Sequence, residues 1–304
     1  MTVVLKKQKK LKKGNETIYP IAKVVGGKDD GKYLYFDEVD LNINDLKEDF
    51  VKNLELSKED KRELEKAISE SLEPENEELV DKYYKILEQI DQQKKKGYVL
   101  RSAGKLQPIP NFNRIEKIYI SGISGSGKST FASNFIREYL KQKRKNEFFL
   151  FSNVDEDDVL DKLKPIRIDL DDEEALSEVK SSDFYDSLVL FDDTDTISNG
   201  LVRKFIQHLR DDLLECGRHY NTTVVAVSHV LQNYIATRKL LNEATSVVFF
   251  PKVGSNNHNH KFLKNHCMYD DDTIRRLLNL NSRWVCLYRS FPNYVIYEKG
   301  VFLV

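Results

Sequence analysis

The sequence predicts an α/β fold: a mostly parallel sheet covered by helices on both faces, with a small α+β region ahead of it. Three observations point there. A glycine-rich run, Gly122-Ile123-Ser124-Gly125-Ser126-Gly127-Lys128-Ser129-Thr130, stands between a strand pattern and a helix pattern. Two further apolar runs stop abruptly at polar pairs, Asp192-Asp193 and Ser228-His229. Around them, strand-like runs alternate with helix-like periods, the order that builds a parallel sheet through crossover helices.

Taken along the chain, residues 1–110 read as an accessory region and residues 111–304 as the main domain. Lys6, Lys7, Lys9, Lys10, Lys12 and Lys13 form a basic arm. It suits phosphate backbones and equally a solvated tail or a localisation signal. Ile18 to Val25 and Lys32 to Phe36 are β-rich runs around Gly26-Gly27-Lys28-Asp29-Asp30-Gly31, a hairpin pattern. One helix opens at the cap signal Ser57-x-x-Asp60 and carries Leu64, Ala67 and Ile68. A second runs from Glu77 through Leu79, Tyr83, Leu87 and Ile90 to Lys94-Lys95-Lys96-Gly97. Gly104, Pro108, Pro110 and Asn111 then interrupt the pattern and mark the boundary.

In the main domain, Ile118 and Ile120 alternate with Lys117, Tyr119 and Ser121 before the glycine-rich run, while Phe131, Asn134, Phe135 and Tyr139 recur at helical spacing after it. Lys141, Lys143, Arg144 and Lys145 complement the dipole at that helix's end. Strands are expected over 148–152, 166–170, 188–191, 223–227 and 247–250, and helices near 172–181, 199–216 and 231–244. Residues 258–267 read as a polar loop. Residues 284–289 and 294–297 read as two tail strands, and the apolar run 301–304 as a docking segment.

The chemistry follows from spacing. Gly122-x4-Gly127-Lys128-Ser129 lets backbone N–H groups wrap a pyrophosphate, brings Lys128 to the β and γ phosphates, and offers the Ser129 hydroxyl to Mg²⁺. The helix amino end behind it favours the same anion. Gly122, Ser124, Gly125, Ser126, Gly127, Lys128, Ser129 and Thr130 are thus the expected ATP contacts, in a P-loop NTPase. Leu188-Val189-Leu190-Phe191-Asp192-Asp193 reads as a Walker B strand. Asp192 would hold Mg²⁺, and Asp193, with Asp195 as a nearby substitute, would orient or deprotonate water. Ser228 or His229, ending another apolar run, would sense the γ phosphate; the plain alternative is a helix cap with a surface histidine. Arg218 and Arg238 are the candidate arginine fingers, or simply partners of surface carboxylates.

Composition sets the outer bounds. The chain has 304 residues, 48 Lys and Arg against 49 Asp and Glu, and a net charge of −1, which argues against uniform nucleic-acid affinity. Cys216, Cys267 and Cys286 are odd in number and irregularly spaced, as in a reducing compartment. No apolar run is long enough to span a bilayer and no signal-peptide pattern follows the basic arm, so an intracellular chain without a membrane partner is expected.

The glycine-rich loop, the Asp192-Asp193 strand, the Gly217-Arg218-His219 lead-in, the strand ending Ser228-His229, and the stretch from Arg238 to Pro251 together resemble the FtsK/HerA superfamily of ATPases. Within it the match is to the poxvirus-type DNA-packaging ATPases of large DNA viruses. The resemblance covers residues 112–251. It implies a ring of identical subunits that pushes double-stranded DNA into a capsid, with capsid components as partners, an arginine supplied across the subunit interface, and a location in the host cytoplasm or virion. Many members end the Walker B strand in Asp-Glu and place Gln where Ser228-His229 stands. Asp and His keep the required chemistry.

His258, His260, His266 and Cys267 lack the paired spacing of structural zinc. With Lys252, Lys261 and Lys264 nearby, that segment reads instead as a DNA-contacting pore loop. Two rival readings remain at this level. One is a P-loop kinase passing the γ phosphate to a small acceptor, although Arg275-Arg276 is the only arginine cluster beyond the Walker B strand. The other is a nucleotide-binding regulatory switch.

Overall fold

A computed structural model of the protein describes residues 2–6, 18–37, 51, 54–70, 72–111, 114–229, 231, 237–253, 256–290 and 293–304. Of the basic arm, Lys7, Lys9, Lys10, Lys12 and Lys13 lie outside the described residues, as do 232–236 of the helix expected over 231–244.

Two sheets form among the described residues. The smaller is antiparallel, in the order β1-β3-β2-β5, from β1 (Thr2–Lys6), β2 (Ile18–Val25), β3 (Tyr33–Asp37) and β5 (Lys105–Pro108). It contains the expected hairpin, with β2 on β3. Strand β5 arises inside the stretch read as an interruption. Its Pro108 lacks an N–H, and an edge strand tolerates that. Helices α1 (Lys58–Glu70) and α2 (Glu77–Lys96) pack together through Leu64, Ile68, Leu79 and Tyr83. The Ser57 hydroxyl accepts from the Asp60 N–H at 3.1 Å, so the cap signal is realised.

The larger sheet has ten strands: β4 (Tyr98–Val99), β6 (Lys117–Ser121), β7 (Glu147–Ser152), β8 (Ile166–Arg167), β9 (Ser187–Asp192), β10 (Thr223–Ser228), β11 (Ser246–Phe249), β12 (Val285–Tyr288), β13 (Tyr294–Tyr297) and β14 (Gly300–Leu303). Their order is β4-β14-β13-β12-β11-β6-β10-β9-β7-β8. The six strands from β11 to β8 are parallel, and β12, β13, β14 and β4 extend the sheet antiparallel. Strands β9 and β10 are buried along their whole length, as expected of a sheet covered on both faces.

One face is covered by α3 (Lys128–Gln142), through Phe131, Phe135 and Ile136, and by the small sheet, through Ile21, Leu34 and Phe36. The other is covered by α5 (Gly200–Cys216), through Ile206 and Leu213, and by α7 (Asn256–Asn265) and α8 (Asp271–Leu278). Short helices α4 (Glu173–Glu178) and α6 (Arg238–Glu243) complete the crossovers. The small sheet shares this core, whereas α1 and α2 form a cluster of their own. Leu106 N–H donates to the Glu298 carbonyl at 2.8 Å, Leu100 N–H to that of Lys299 at 2.8 Å, and Lys23 pairs with Glu138 at 3.2 Å.

Several boundaries differ from expectation. The segment expected as a polar loop is helical over Asn256–Asn265, because Asn259, Phe262 and Leu263 lie on one turn-spaced face and are buried. Helix α8 was not expected, although its cap is visible in the sequence: Asp270 accepts from the Thr273 N–H at 2.7 Å. The strand expected over 166–170 is ladder-paired only at Ile166–Arg167. The tail carries an additional strand, β14.

Candidate functional site

The glycine-rich loop leaves the carboxyl end of β6 between β10 and β11, and the Gly122 N–H donates to the Ser228 carbonyl at 3.2 Å. Glycine at 122 leaves the neighbouring side chains undisturbed, whereas a Cβ there would stand 2.6 Å from both Phe250 Cδ2 and Ser126 Oγ and force one of them to move. Gly125 and Gly127 have φ of 75° and 105°, the left-handed backbone that lets successive N–H groups turn inward. Helix α3 starts at Lys128, so its unpaired first-turn N–H groups face the loop. Ser129 is half-buried in that turn, Ser124 and Thr130 are exposed, and Ser126 is buried with its hydroxyl unpartnered.

Lys128, buried, joins the loop to the two apolar strands. Its Nζ stands 3.3 Å from His229 Nδ1 and 3.4 Å from the Ile123 carbonyl. His229 Nε2 lies 2.9 Å from Asp193 Oδ2. A neutral imidazole satisfies both partners, with Nδ1 accepting from the ammonium and Nε2–H donating to the carboxylate. Asp193 takes φ 47°, left-handed backbone that an Asp tolerates, with its N–H on the Val227 carbonyl at 3.2 Å. Its other oxygen, Oδ1, is buried with no hydrogen-bond partner.

Asp192 ends β9 and is only 6% exposed. Burial first, then the charges of Asp193 and Asp157, push its pKa up to about 7, against a partial pull down from Lys128 and Arg167. A buried carboxylate at the carboxyl end of the strands, made costly by neighbouring negative charge, is a donor that a divalent cation would relieve. Asp192 with the Ser129 hydroxyl therefore fits Mg²⁺.

Ser228 turns the other way. Its hydroxyl donates to Asp195 Oδ2 at 3.0 Å, and Asp195 faces the buried Arg210 at 3.8 Å. Of each candidate pair, then, His229 and Asp193 face the loop, while Ser228 and Asp195 face α5. Arg218 lies exposed in the turn Gly217–Tyr220 that leads into the amino end of β10. Arg238 opens α6 beside Lys239, which pairs with Glu215 near the end of α5 at 3.1 Å. Arg218 thus stands at the end of the sheet opposite the loop.

Two arginines that sequence spacing did not single out come close instead. Arg167, in β8, pairs with Asp161 at 2.7 Å and its charge reaches Asp192. Arg283 precedes β12, and its Nη2 lies 3.8 Å from where a Cβ on Gly127 would sit. Their approach depends on strand order, which no local motif encodes.

Lys252 and Lys261 are exposed, and Lys264 pairs with Asp271 at 2.7 Å. Burial lifts the Cys267 thiol to about 11. Among the described residues no group of three His, Cys, Asp or Glu is placed to hold a metal by itself, and no helix is long and apolar enough to cross a membrane.

No family model matches the sequence. The chain is 38% identical over 213 residues to the uncharacterized protein V3 of Sputnik virophage, a match covering 68% of this chain and 84% of that protein. Among solved structures it is similar to the genome packaging NTPase B204 from Sulfolobus turreted icosahedral virus 2 in complex with AMPPCP. That match has a TM-score of 0.39 and 11% identity, over 57% of this chain and 91% of that one. It is also similar to the pCW3 conjugation coupling protein TcpA with ATPγS, with a TM-score of 0.45 and 14% identity, over 67% of this chain and 64% of that one.

Proposed function

The chain belongs to the family of the Sputnik virophage protein V3, and from that premise we propose that it is an ATP-hydrolysing DNA translocase that packages a viral genome. The observation that carries the catalytic half is the continuous contact from Lys128 through His229 to Asp193, which joins three separate motifs at one end of the sheet. The translocating half is supported by the likeness of those motifs to packaging ATPases and by a relative that is itself viral.

In this reading the loop N–H groups and the amino end of α3 cradle the triphosphate. Lys128 exchanges His229 and the Ile123 carbonyl for the β and γ phosphates. Ser129 and Asp192 would hold Mg²⁺, which supplies positive charge against the phosphates. Asp193, freed on one side, orients the attacking water and accepts its proton. His229, bonded to both Lys128 and Asp193, loses one partner when the γ phosphate arrives or departs and so reports hydrolysis to β10. A ring of identical subunits would place Arg218 or Arg238 of one subunit at the loop of the next. Exposed Lys252 and Lys261 would face DNA phosphates.

The test is steady-state ATP hydrolysis by the purified protein with and without duplex DNA, over a salt series, alongside its oligomeric mass. DNA stimulation that fades with salt, in a ring-sized assembly, is the expected result. Unstimulated turnover by a monomer would overturn translocation and leave a kinase or a switch.

A further inference from the structure

A cavity of about 230 Å³ opens beside the phosphate loop, bordered by Ser126, Gly127 and Thr130. Its rim on one side is Gly127 and Thr130 of the loop, with Asn134 one turn further along α3. Its wall is aromatic. Trp284 meets Phe131 edge-on, with ring centroids 5.2 Å apart, and Phe250 closes the floor. Opposite stands β5 of the small sheet, which contributes Gln107. Arg283 sits between the aromatic wall and Gly127, its backbone N–H fixed by Glu298 Oε2 at 2.9 Å.

We propose that this cavity is the nucleoside subsite: the base stacks on Trp284, and Arg283 meets the sugar-proximal phosphate. The inference rests on the reading of ATP as substrate. Thr130 follows Lys128 and Ser129 into α3 and lines this cavity, so a nucleotide whose β and γ phosphates meet Lys128 can turn its sugar and base toward it. The space is smaller than the roughly 300–1,000 Å³ of pockets that enclose whole ligands, as befits a chamber for one end of a nucleotide whose phosphates lie outside it. An aromatic face with side-chain amides beside it, Gln107 and Asn134, is the combination that holds a base by stacking and reads its edge. The small sheet is then part of the nucleotide site rather than an appendage.

Trp284 is the chain's single tryptophan, so its emission reports on this cavity alone. Full-length protein is titrated with ATP and, separately, with inorganic tripolyphosphate, which fills the loop but carries no base; calorimetry records binding of each. ATP should quench the emission, and tripolyphosphate should bind without quenching it. Trp284→Ala should raise KM for ATP about tenfold, in line with base–aromatic stacking, while kcat and the affinity for tripolyphosphate stay within about twofold. Trp284→Phe, which keeps an aromatic face, should restore KM. ATP that binds without changing the emission, or an equal quench by tripolyphosphate, would overturn the subsite and leave the ATPase intact. Absence of ATP binding would instead remove the substrate reading and the subsite together.

Discussion

Two adjacent carboxylates close β9 in unequal surroundings, and the difference divides their work. Asp193 has a histidine at 2.9 Å, whereas Asp192 is buried beside two other negative charges with its pKa raised to about 7. The sign of the linkage follows. Below the usual carboxylate value of 3.8 the group is protonated folded or unfolded; as pH climbs to about 7 the unfolded chain gives up its proton first, so folding loses stability across that window and regains none above it. Asp192→Asn cannot ionise. In metal-free protein it should raise Tm at pH 8, by about 2–4 °C for each kcal/mol relieved, and leave Tm near pH 4 unchanged. Hydrolysis should fall roughly a hundredfold or more in the same variant, since a metal site supplies several kcal/mol. A Tm that does not rise at pH 8 would mean that the aspartate is already compensated within the protein.

At the level of elements, the loop is seated by two contacts that a single methyl group disturbs. Gly122 spans from β6 to the Ser228 carbonyl, and a Cβ would meet the Phe250 ring and the buried Ser126 hydroxyl at 2.6 Å. Gly122→Ala should therefore shift the loop. The expected signature is a KM for ATP raised about tenfold or more with a Tm lowered by a few degrees, the usual scale of an overpacked site. Unchanged kinetics would show that Phe250 swings clear.

The same elements show what a sequence can carry. The loop is legible from its glycine, lysine and serine spacing, and β9 and β10 because each is a contiguous apolar run with its polar residues at the end, and burial on both faces leaves few other readings. Helix α7 was misread because Asn and His dominate it, residues of middling helix propensity, and its burial rests on Asn259, Phe262 and Leu263. Strand β5 hid behind Gly104 and Pro108, whose punctuation reads as a break unless the edge position is known. Arg283 and Trp284 reach the loop only through the antiparallel extension of the sheet, so their place in the site follows from topology alone.

For the whole molecule, an arginine finger at Arg218 or Arg238 would make assembly a chemical requirement. Arg218 stands at the amino end of β10, which is six residues long, about 20 Å at roughly 3.3 Å per residue, well beyond the reach of a guanidinium, and Arg238 opens the helix that leads to the amino end of β11. An arginine there serves a phosphate loop only across a head-to-tail interface, the kind that closes into a ring. Lys128→Ala destroys a subunit's own loop but leaves its arginines for a neighbour; Arg238→Ala or Arg218→Ala does the reverse. Each variant alone should be nearly inactive, the arginine variants by about a thousandfold if the residue is the finger. Equal mixing of a lysine variant with the correct arginine variant should recover up to about a quarter of wild-type hydrolysis, because one interface in four then joins an intact loop to an intact arginine. Rescue by one arginine partner and not the other identifies the finger. If neither mixture recovers activity, the charge at the γ phosphate comes from within the chain, and Arg167, whose charge reaches Asp192, is the residue placed to supply it.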